Sequence, residues 1–292
     1  MTQENVTADL INEAIAGDRQ ALESILIQVQ DLVFNLSLRM LGTIPDAEDA
    51  TQDILTKLMT NLGTFRKESK FETWVYRIAT NYLIDYKRSL FANRPLSFEE
   101  YSQDLQAGFI ENTSDLLQEV DEAVLGKELR LSCTNVMLQC LNPTSRCIFV
   151  LGTMFKVDSK LAGEVLDMTP ENYRQKLSRT RKQVAKFLNC HCGLTSTGFC
   201  SCEKRVGFAI KSKRLNPQNL EYQKLEEYTF LDNYIEAMEQ LDEQATIFSK
   251  LPAYRSTIQA KEFLIKLLNS PNMNTVQNLS IGGAESEIKP NT

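Results

Sequence analysis

Between residues 7 and 88 apolar side chains return at steps of three and four. Leu10, Ile11, Ala14 and Ile15 make one series, and Leu22, Ile25, Leu26, Val29, Leu32, Val33, Leu36 and Met40 make a longer one. That spacing predicts two or three helices with buried stripes. Gly17-Asp18 supplies a turn between the first two, and Gly42 with Pro45 marks the start of the next.

Residues 46–88 are the stretch around which the rest is organised. Ile54, Leu55, Leu58, Met59 and Leu62 line one side of a helix, and Asp46, Asp49 and Asp53 fall on the opposite, wet side. The loop Phe65-Arg66-Lys67-Glu68 then leads to Ser69-x-x-Glu72, the pattern of a capping box opening a new helix. Phe71, Trp74, Val75, Ile78 and Tyr82 share one stripe of that helix, and Arg77, Asn81, Asp85 and Arg88 share another. Periodicity alone gives a helical bundle with solvated charged faces.

Residues 89–120 lose regular periodicity, carry Pro95 and Gly108 as breakers, and read as a solvated acidic linker. A second helical region starts near Asp121 with Val124, Leu125, Leu129, Leu131, Val136, Leu138 and Leu141; Asn142-Pro143 opens a further helix burying Ile148 to Leu151. Leu161-Ala162 and Val165-Leu166 then lie on a short helix, Asp167 to Pro170 forms a turn, and Tyr173, Leu177, Val184 and Leu188 anchor a longer helix. This is helix-turn-helix spacing, in which the second helix offers a polar face to the DNA major groove while Tyr173 packs inward. Farther on, Leu231, Ile235, Met238, Leu241, Ala245 and Phe248 predict one amphipathic helix, Pro252 interrupts, and Ile258, Phe263, Leu264, Leu267 and Leu268 predict another. Residues 270–292 are polar and read as a disordered tail.

Charge changes this picture by its distribution. The net charge is -6, the wrong sign for a DNA binder if it were uniform. Between Ser97 and Glu128, however, nine acidic residues stand against Lys127 alone, whereas between Glu171 and Phe187 six basic residues stand against Glu171 alone. The basic block coincides with the predicted DNA-reading helix.

Seven cysteines are many for a chain of 292 residues. Cys133, Cys140 and Cys147 recur every seven positions among apolar residues and read as inert core thiols. Cys190, His191, Cys192, Cys200 and Cys202 form a separate cluster containing the single histidine. Three readings stand for it: a zinc site, with Gly193 and Gly198 letting the loop fold back; redox-active thiols, their pKa values lowered by Lys204 and Arg205; or an ordinary loop. The spacing of one residue within each cysteine pair differs from the two usual in zinc knuckles.

The string DAEDATQDILTKL followed by FRKESKFETWVYRIATNYLIDYKR closely resembles the second conserved region of bacterial sigma-70 family sigma factors of the extracytoplasmic-function (ECF) group. LNPTSRCIFVLGTMFKVDSKLAGEVLDMTPENYRQKLSRTRKQVAKFL resembles their fourth region. The resemblance implies an all-α protein of two small helical domains. Residues 1–90 would be sigma region 2, 91–120 a linker threading the RNA exit channel of the polymerase, and 121–189 sigma region 4. Beyond that pattern lie the Cys-rich segment 190–206, a helical extension over 207–269, and the tail 270–292.

By the same resemblance Asp46, Glu48, Asp49, Gln52 and Asp53 dock on the clamp helices of core RNA polymerase, with the helix 28–41 sharing in the contact. Arg66, Lys67, Ser69, Lys70, Arg77, Asn81, Lys87 and Arg88 hold the melted minus-10 promoter element. Trp74 and Tyr82 are weaker candidates for holding bases, because their apolar spacing suits the core. Glu171, Asn172, Arg174, Gln175, Lys176, Ser178, Arg179, Arg181 and Lys182 face the minus-35 element. Base contacts are expected from Asn172, Arg174, Gln175 and Glu171, and phosphate contacts from Lys176, Arg179, Arg181 and Lys182. Promoter DNA, core RNA polymerase and an anti-sigma factor are the implied partners. The extension and cysteines would modulate promoter binding in cis.

No Walker loop or dinucleotide fingerprint is present, and one histidine leaves little room for a triad or a multi-histidine metal centre, so no catalytic residue and no required cofactor are expected. No run of about 18 apolar residues and no signal-peptide pattern occurs, which predicts a cytoplasmic protein without membrane insertion. The alternative is a free-standing helix-turn-helix regulator using residues 1–90 as an interaction bundle. A thiol oxidoreductase lacks the surrounding strand pattern such enzymes need.

Overall fold

A computed structural model describes residues 6–108, 120–195, 197–225 and 252–269. The helix predicted on Leu231 to Phe248, the tail 270–292 and the linker residues 109–119 lie outside the described residues. Among the described residues the protein is all-α, with no strand and one isolated bridge between Cys192 and Cys200. The helices are α1 (Ala8–Ile15), α2 (Arg19–Leu41), α3 (Ile44–Asn61), α4 (Phe71–Ile84), α5 (Leu90–Asn93), α6 (Phe98–Ala107), α7 (Glu122–Leu138), α8 (Pro143–Phe149), α9 (Ser159–Val165), α10 (Pro170–His191), α11 (Cys202–Lys211) and α12 (Ala260–Leu268). A π-turn, Val150–Met154, follows α8.

The helix starts are written in the sequence. Thr7, Thr43, Ser89, Ser97, Asp121, Asn142, Asp158 and Thr169 each stand at an N-cap and accept a bond from a first-turn amide. Such a cap stabilises its helix by about 1 kcal/mol. Pro45, Pro143 and Pro170 sit in first turns, where the missing N–H costs nothing.

Two sequence expectations change. The Ser69/Glu72 capping box does not form: Lys70 is the N-cap of α4 and makes no side-chain cap. The rings of Phe65, Phe71 and Trp74, with centroids 5.4–5.6 Å apart, pack at this helix start, after a turn in which Lys67 has φ of 60°. Inside the predicted linker, residues 98–107 form α6, because Ser97 and Glu100 build a true capping box and Tyr101 and Leu105, four apart, are buried on one face.

The chain divides into two compact units, residues 1–30 with 258–292 and residues 31–257. In the first, Ile11, Ala14, Ile25, Leu26, Val29, Ile258, Ala260 and Leu264 are buried, and Lys261 pairs with Glu23 at 3.7 Å. α2, of 23 residues, is the longest of the described helices. Over 18 residues its mean hydropathy reaches 1.2, long and apolar enough to cross a membrane, and 56% of that window is buried inside the molecule.

Among the described residues, apolar clusters organise the second unit. Phe34, Leu38, Ile44, Ala47, Leu131, Tyr222, Leu225 and Tyr254 form one. Leu125 on α7 meets Val206, Ala209 and Leu215 in another, and Ile148, Ala162 and Tyr173 centre a third around the helix-turn-helix. Between them lies a polar staple. Arg146 of α8 is buried and donates to the carbonyls of Met40 (2.6 Å), Leu138 (3.0 Å), Gln139 (3.2 Å) and Leu141 (2.8 Å), joining the ends of α2 and α7. Arg39 of α2 donates to Asn135 of α7 at 2.7 Å.

Candidate functional site

α3 buries Ile44, Ala47, Ala50, Ile54, Leu55 and Leu58, which turns its acidic residues outward as their spacing predicted. Asp49 and Gln52 are exposed; Asp46, Glu48 and Asp53 are half-buried. Asp46 accepts from the Thr43 hydroxyl at 2.7 Å and from the Leu90 amide at 3.2 Å, and Glu48 accepts from the Thr257 hydroxyl. Asp53 accepts from both the Tyr82 hydroxyl and the Arg88 guanidinium, which ties α3 to the end of α4.

α4 presents its outer face over a groove of about 640 Å³ lined by Lys57, Asn61, Thr64, Trp74, Ile78, Asn81, Tyr82, Asp85, Tyr86, Lys87 and Arg88. Rings and cations alternate here: Lys57 lies over the Tyr82 ring at 5.6 Å, Arg88 over the Tyr86 ring at 5.1 Å, and the two tyrosines are 5.5 Å apart. Burial, followed by the nearby Tyr86 and Asp49, pushes the Tyr82 phenol up to about 12, so it stays a protonated donor. Trp74 is half-buried in its aromatic cluster and still reaches the groove. Asn81, Lys87 and Arg88 thus meet at one groove, while Arg66, Lys67 and Lys70 stand exposed on the preceding loop with Ser69 half-buried beside them. Arg77 is engaged elsewhere, donating to the Glu164 carbonyl of α9 at 2.8 Å. Lys57 and Tyr86 were not singled out from the sequence, although Lys57 follows Asp53 by four and so shares its face.

α9 and α10 form the expected helix-turn-helix. Asp167 holds the turn with φ of 51°, and the Met168 amide donates to the Gly163 carbonyl at 2.9 Å. Tyr173 is buried and its hydroxyl donates to the Ile148 carbonyl at 3.2 Å, so the inward face of α10 is fixed. Glu171, Asn172, Arg174, Gln175, Lys176, Ser178, Arg179 and Lys182 are all exposed on the other side. Arg174 is pre-set there, donating to Ser159 at 2.9 Å and to Glu171 at 2.8 Å. Arg181 is half-buried and donates to the Thr153 hydroxyl and the Gly152 carbonyl, both at 3.0 Å, fastening α10 to the π-turn.

Residues 26–90 match the model of the family described as Sigma-70 region 2. The chain is similar to the ECF RNA polymerase sigma factor SigW of Bacillus subtilis, 28% identical over 183 residues that cover 61% of this chain and 94% of that protein. The chain belongs to the ECF group of the sigma-70 family. It is likewise similar to the RNA polymerase sigma-H factor of Pseudomonas aeruginosa, 26% identical over 192 residues covering 64% of this chain and 96% of that protein. A solved structure, of CnrH in complex with the cytosolic domain of CnrY, covers 63% of this chain and 97% of that one at 18% identity, with a TM-score of 0.44. As a sigma factor, this protein directs promoter-specific transcription by RNA polymerase.

The cysteine segment of this sigma factor folds back as its glycines implied. The Cys200 amide donates to the His191 carbonyl at 3.0 Å and the Thr195 amide to the Cys192 carbonyl at 3.0 Å. A Cβ on Gly193 would stand 1.9 Å from the Cys200 carbonyl oxygen, and one on Gly198 1.9 Å from that of Cys192. Gly198→Ala is therefore expected to force this closure apart and to destabilise the protein by about 1–3 kcal/mol, read as a lower urea midpoint. An unchanged midpoint would mean the closure adds nothing to the fold.

Within this segment Cys190 is exposed, and the His191 ring lies 4.6 Å from Phe187 and 5.6 Å from Phe199. Among the described residues no three Cys, His, Asp or Glu side chains are gathered as they would be to hold a metal ion. The expected lowering of the thiol pKa values is reversed by burial. Burial pushes Cys192 up to about 11 and Cys200 up to about 12, and raises Cys202, outweighing the pull of Arg130 on Cys192 and Cys202 and of Arg205 on Cys200 and Cys202. Arg205 is itself committed to Asp104, at 3.1 Å, and to the Asp104 and Leu105 carbonyls. Cys133 lines the same cavity as Cys200 and Cys202 and meets the Tyr101 hydroxyl at 2.8 Å; burial pushes it up to about 12. That raised pKa fits the sequence reading of an inert thiol, but its place beside the distant cysteines does not follow from a seven-residue repeat.

Proposed function

We propose that this sigma factor meets core RNA polymerase with the acidic face of α3, holds one strand of a melted minus-10 element in the α4 groove, and reads a minus-35 element with the exposed face of α10. Its work is binding and strand separation, carried out in the cytoplasm, and no residue is assigned a catalytic role. The α4 groove carries this reading. Single-stranded DNA asks for ring faces on which bases rest and cations that follow the phosphates, and Trp74 and Tyr82 with Lys57, Lys87 and Arg88 supply both within one groove. A free-standing regulator that reads duplex DNA through α10 alone has no use for such a groove.

Permanganate oxidation of unpaired thymines in a polymerase–promoter complex tests the assignment. The double variant Asn81→Ala/Lys87→Ala changes two exposed groove residues. It is expected to lower minus-10 thymine reactivity by on the order of tenfold while polymerase binding persists. Full reactivity in that variant would place strand holding elsewhere.

A further inference from the structure

Residues 252–257 lie on α2 in a matched register. The Pro252 carbonyl accepts from Arg39 Nη2 at 2.6 Å, Tyr254 exchanges two bonds with the Asn35 side chain at 2.9 and 2.6 Å, and the Ser256 amide donates to Asp31 Oδ1 at 2.7 Å. Alternate residues of the segment therefore meet every fourth residue of the helix, running antiparallel to it. The repeats agree physically: two residues of extended chain rise about 6.6 Å, and four residues of helix about 6 Å. Burial alternates accordingly, with Pro252 and Tyr254 buried and Ala253 and Arg255 exposed.

Tyr254 anchors the segment. It is fully buried among Phe34, Leu38, Ile44 and Leu131, and Arg39 lies over its ring at 5.4 Å. At the far end the Thr257 hydroxyl reaches Glu48 on α3. Arg255 bears on Asp31 electrostatically. A stretch carrying hydroxyls and a cation thus covers acidic and polar groups of α2 and α3, the chemistry expected of whatever binds the acidic face of α3.

We propose that residues 252–257 are a built-in competitor for core RNA polymerase, covering part of its docking surface on α2 and α3 until the polymerase displaces them. This rests on the assignment of the α3 face to polymerase. A protein whose docking surface is free only part of the time binds with an affinity reduced by that fraction, so loosening the strap tightens binding.

The test uses the full chain and purified core RNA polymerase without other sigma factors. Ser256→Pro removes the amide that donates to Asp31 and leaves Tyr254 in place. It is expected to bind core polymerase on the order of tenfold tighter, a coupling of ordinary size; equal or weaker binding by the folded variant overturns the proposal. Hydrogen exchange on the unaltered protein gives a second readout that no variant can confound. Amides of 254–256 should exchange faster once polymerase is added, and retained protection in the bound complex also overturns it. Asp49→Lys, outside the strap's contacts, separates the two claims: if it leaves polymerase binding intact, the α3 assignment fails, whereas a failure of the strap alone leaves the Asp49 effect standing.

Discussion

Arg146→Ala is expected to destabilise the protein by about 3–5 kcal/mol, the largest loss of any single change considered. Arg146 is buried, and its guanidinium donates to four carbonyls at the ends of α2 and α7. Carbonyls stripped of donors in a buried site each cost about 1–3 kcal/mol, and the truncation leaves a void besides. Burial already lowers the guanidinium from its ordinary value to about 10, so it remains charged at neutral pH. Arg146→Lys keeps that charge but offers three donors from one point, which do not span four carbonyls. It should retain part of the lost stability, giving a urea-derived order of native, lysine, alanine. Equal stability of all three proteins would remove the staple from the account of the fold.

Arg174→Ala should have the largest effect on function among exposed positions. Arg174 stands on the open face of α10, held by Ser159 and Glu171 before any DNA arrives. A bidentate arginine–guanine contact discriminates by about 1–3 kcal/mol, so transcription from a cognate promoter should fall about 10- to 100-fold, with selectivity relaxed at one minus-35 base pair. Lys182→Ala, expected to touch phosphate, should instead weaken all promoters alike and flatten the salt dependence. Binding profiles over a library of single-base minus-35 variants separate the two patterns. A uniform loss from Arg174→Ala would recast it as a phosphate contact.

Much of this architecture is legible in the sequence because it is local. Gly42 with Pro45, Asn142 with Pro143, and Thr169 with Pro170 announce helix starts within four residues, and the structure has them there. The exposed face of α10 follows from the spacing of Tyr173, Leu177, Val184 and Leu188 in the same way. The capping pattern at Ser69 is local, whereas the start of α4 is where the rings of Phe65, Phe71 and Trp74 pack together. What stayed hidden depends on contacts far apart in the chain. Arg146 reads as one more surface cation until Met40 is beside it, 106 positions away. Tyr254 follows a proline in an irregular stretch, and its partner Asn35 is 219 positions distant. No period connects such residues. For the thiols, proximity to cations in sequence suggested activation, whereas burial in the fold dominates their chemistry.

The most direct test of the account is transcription by purified core RNA polymerase on genomic DNA fragments, with and without this sigma factor, followed by mapping of the transcript starts. The account predicts new transcripts that begin at discrete sites, share sequence near minus-35 and minus-10, and disappear with Asp49→Lys. Sharp DNA binding by the protein alone, with no new transcript from the polymerase, would contradict it.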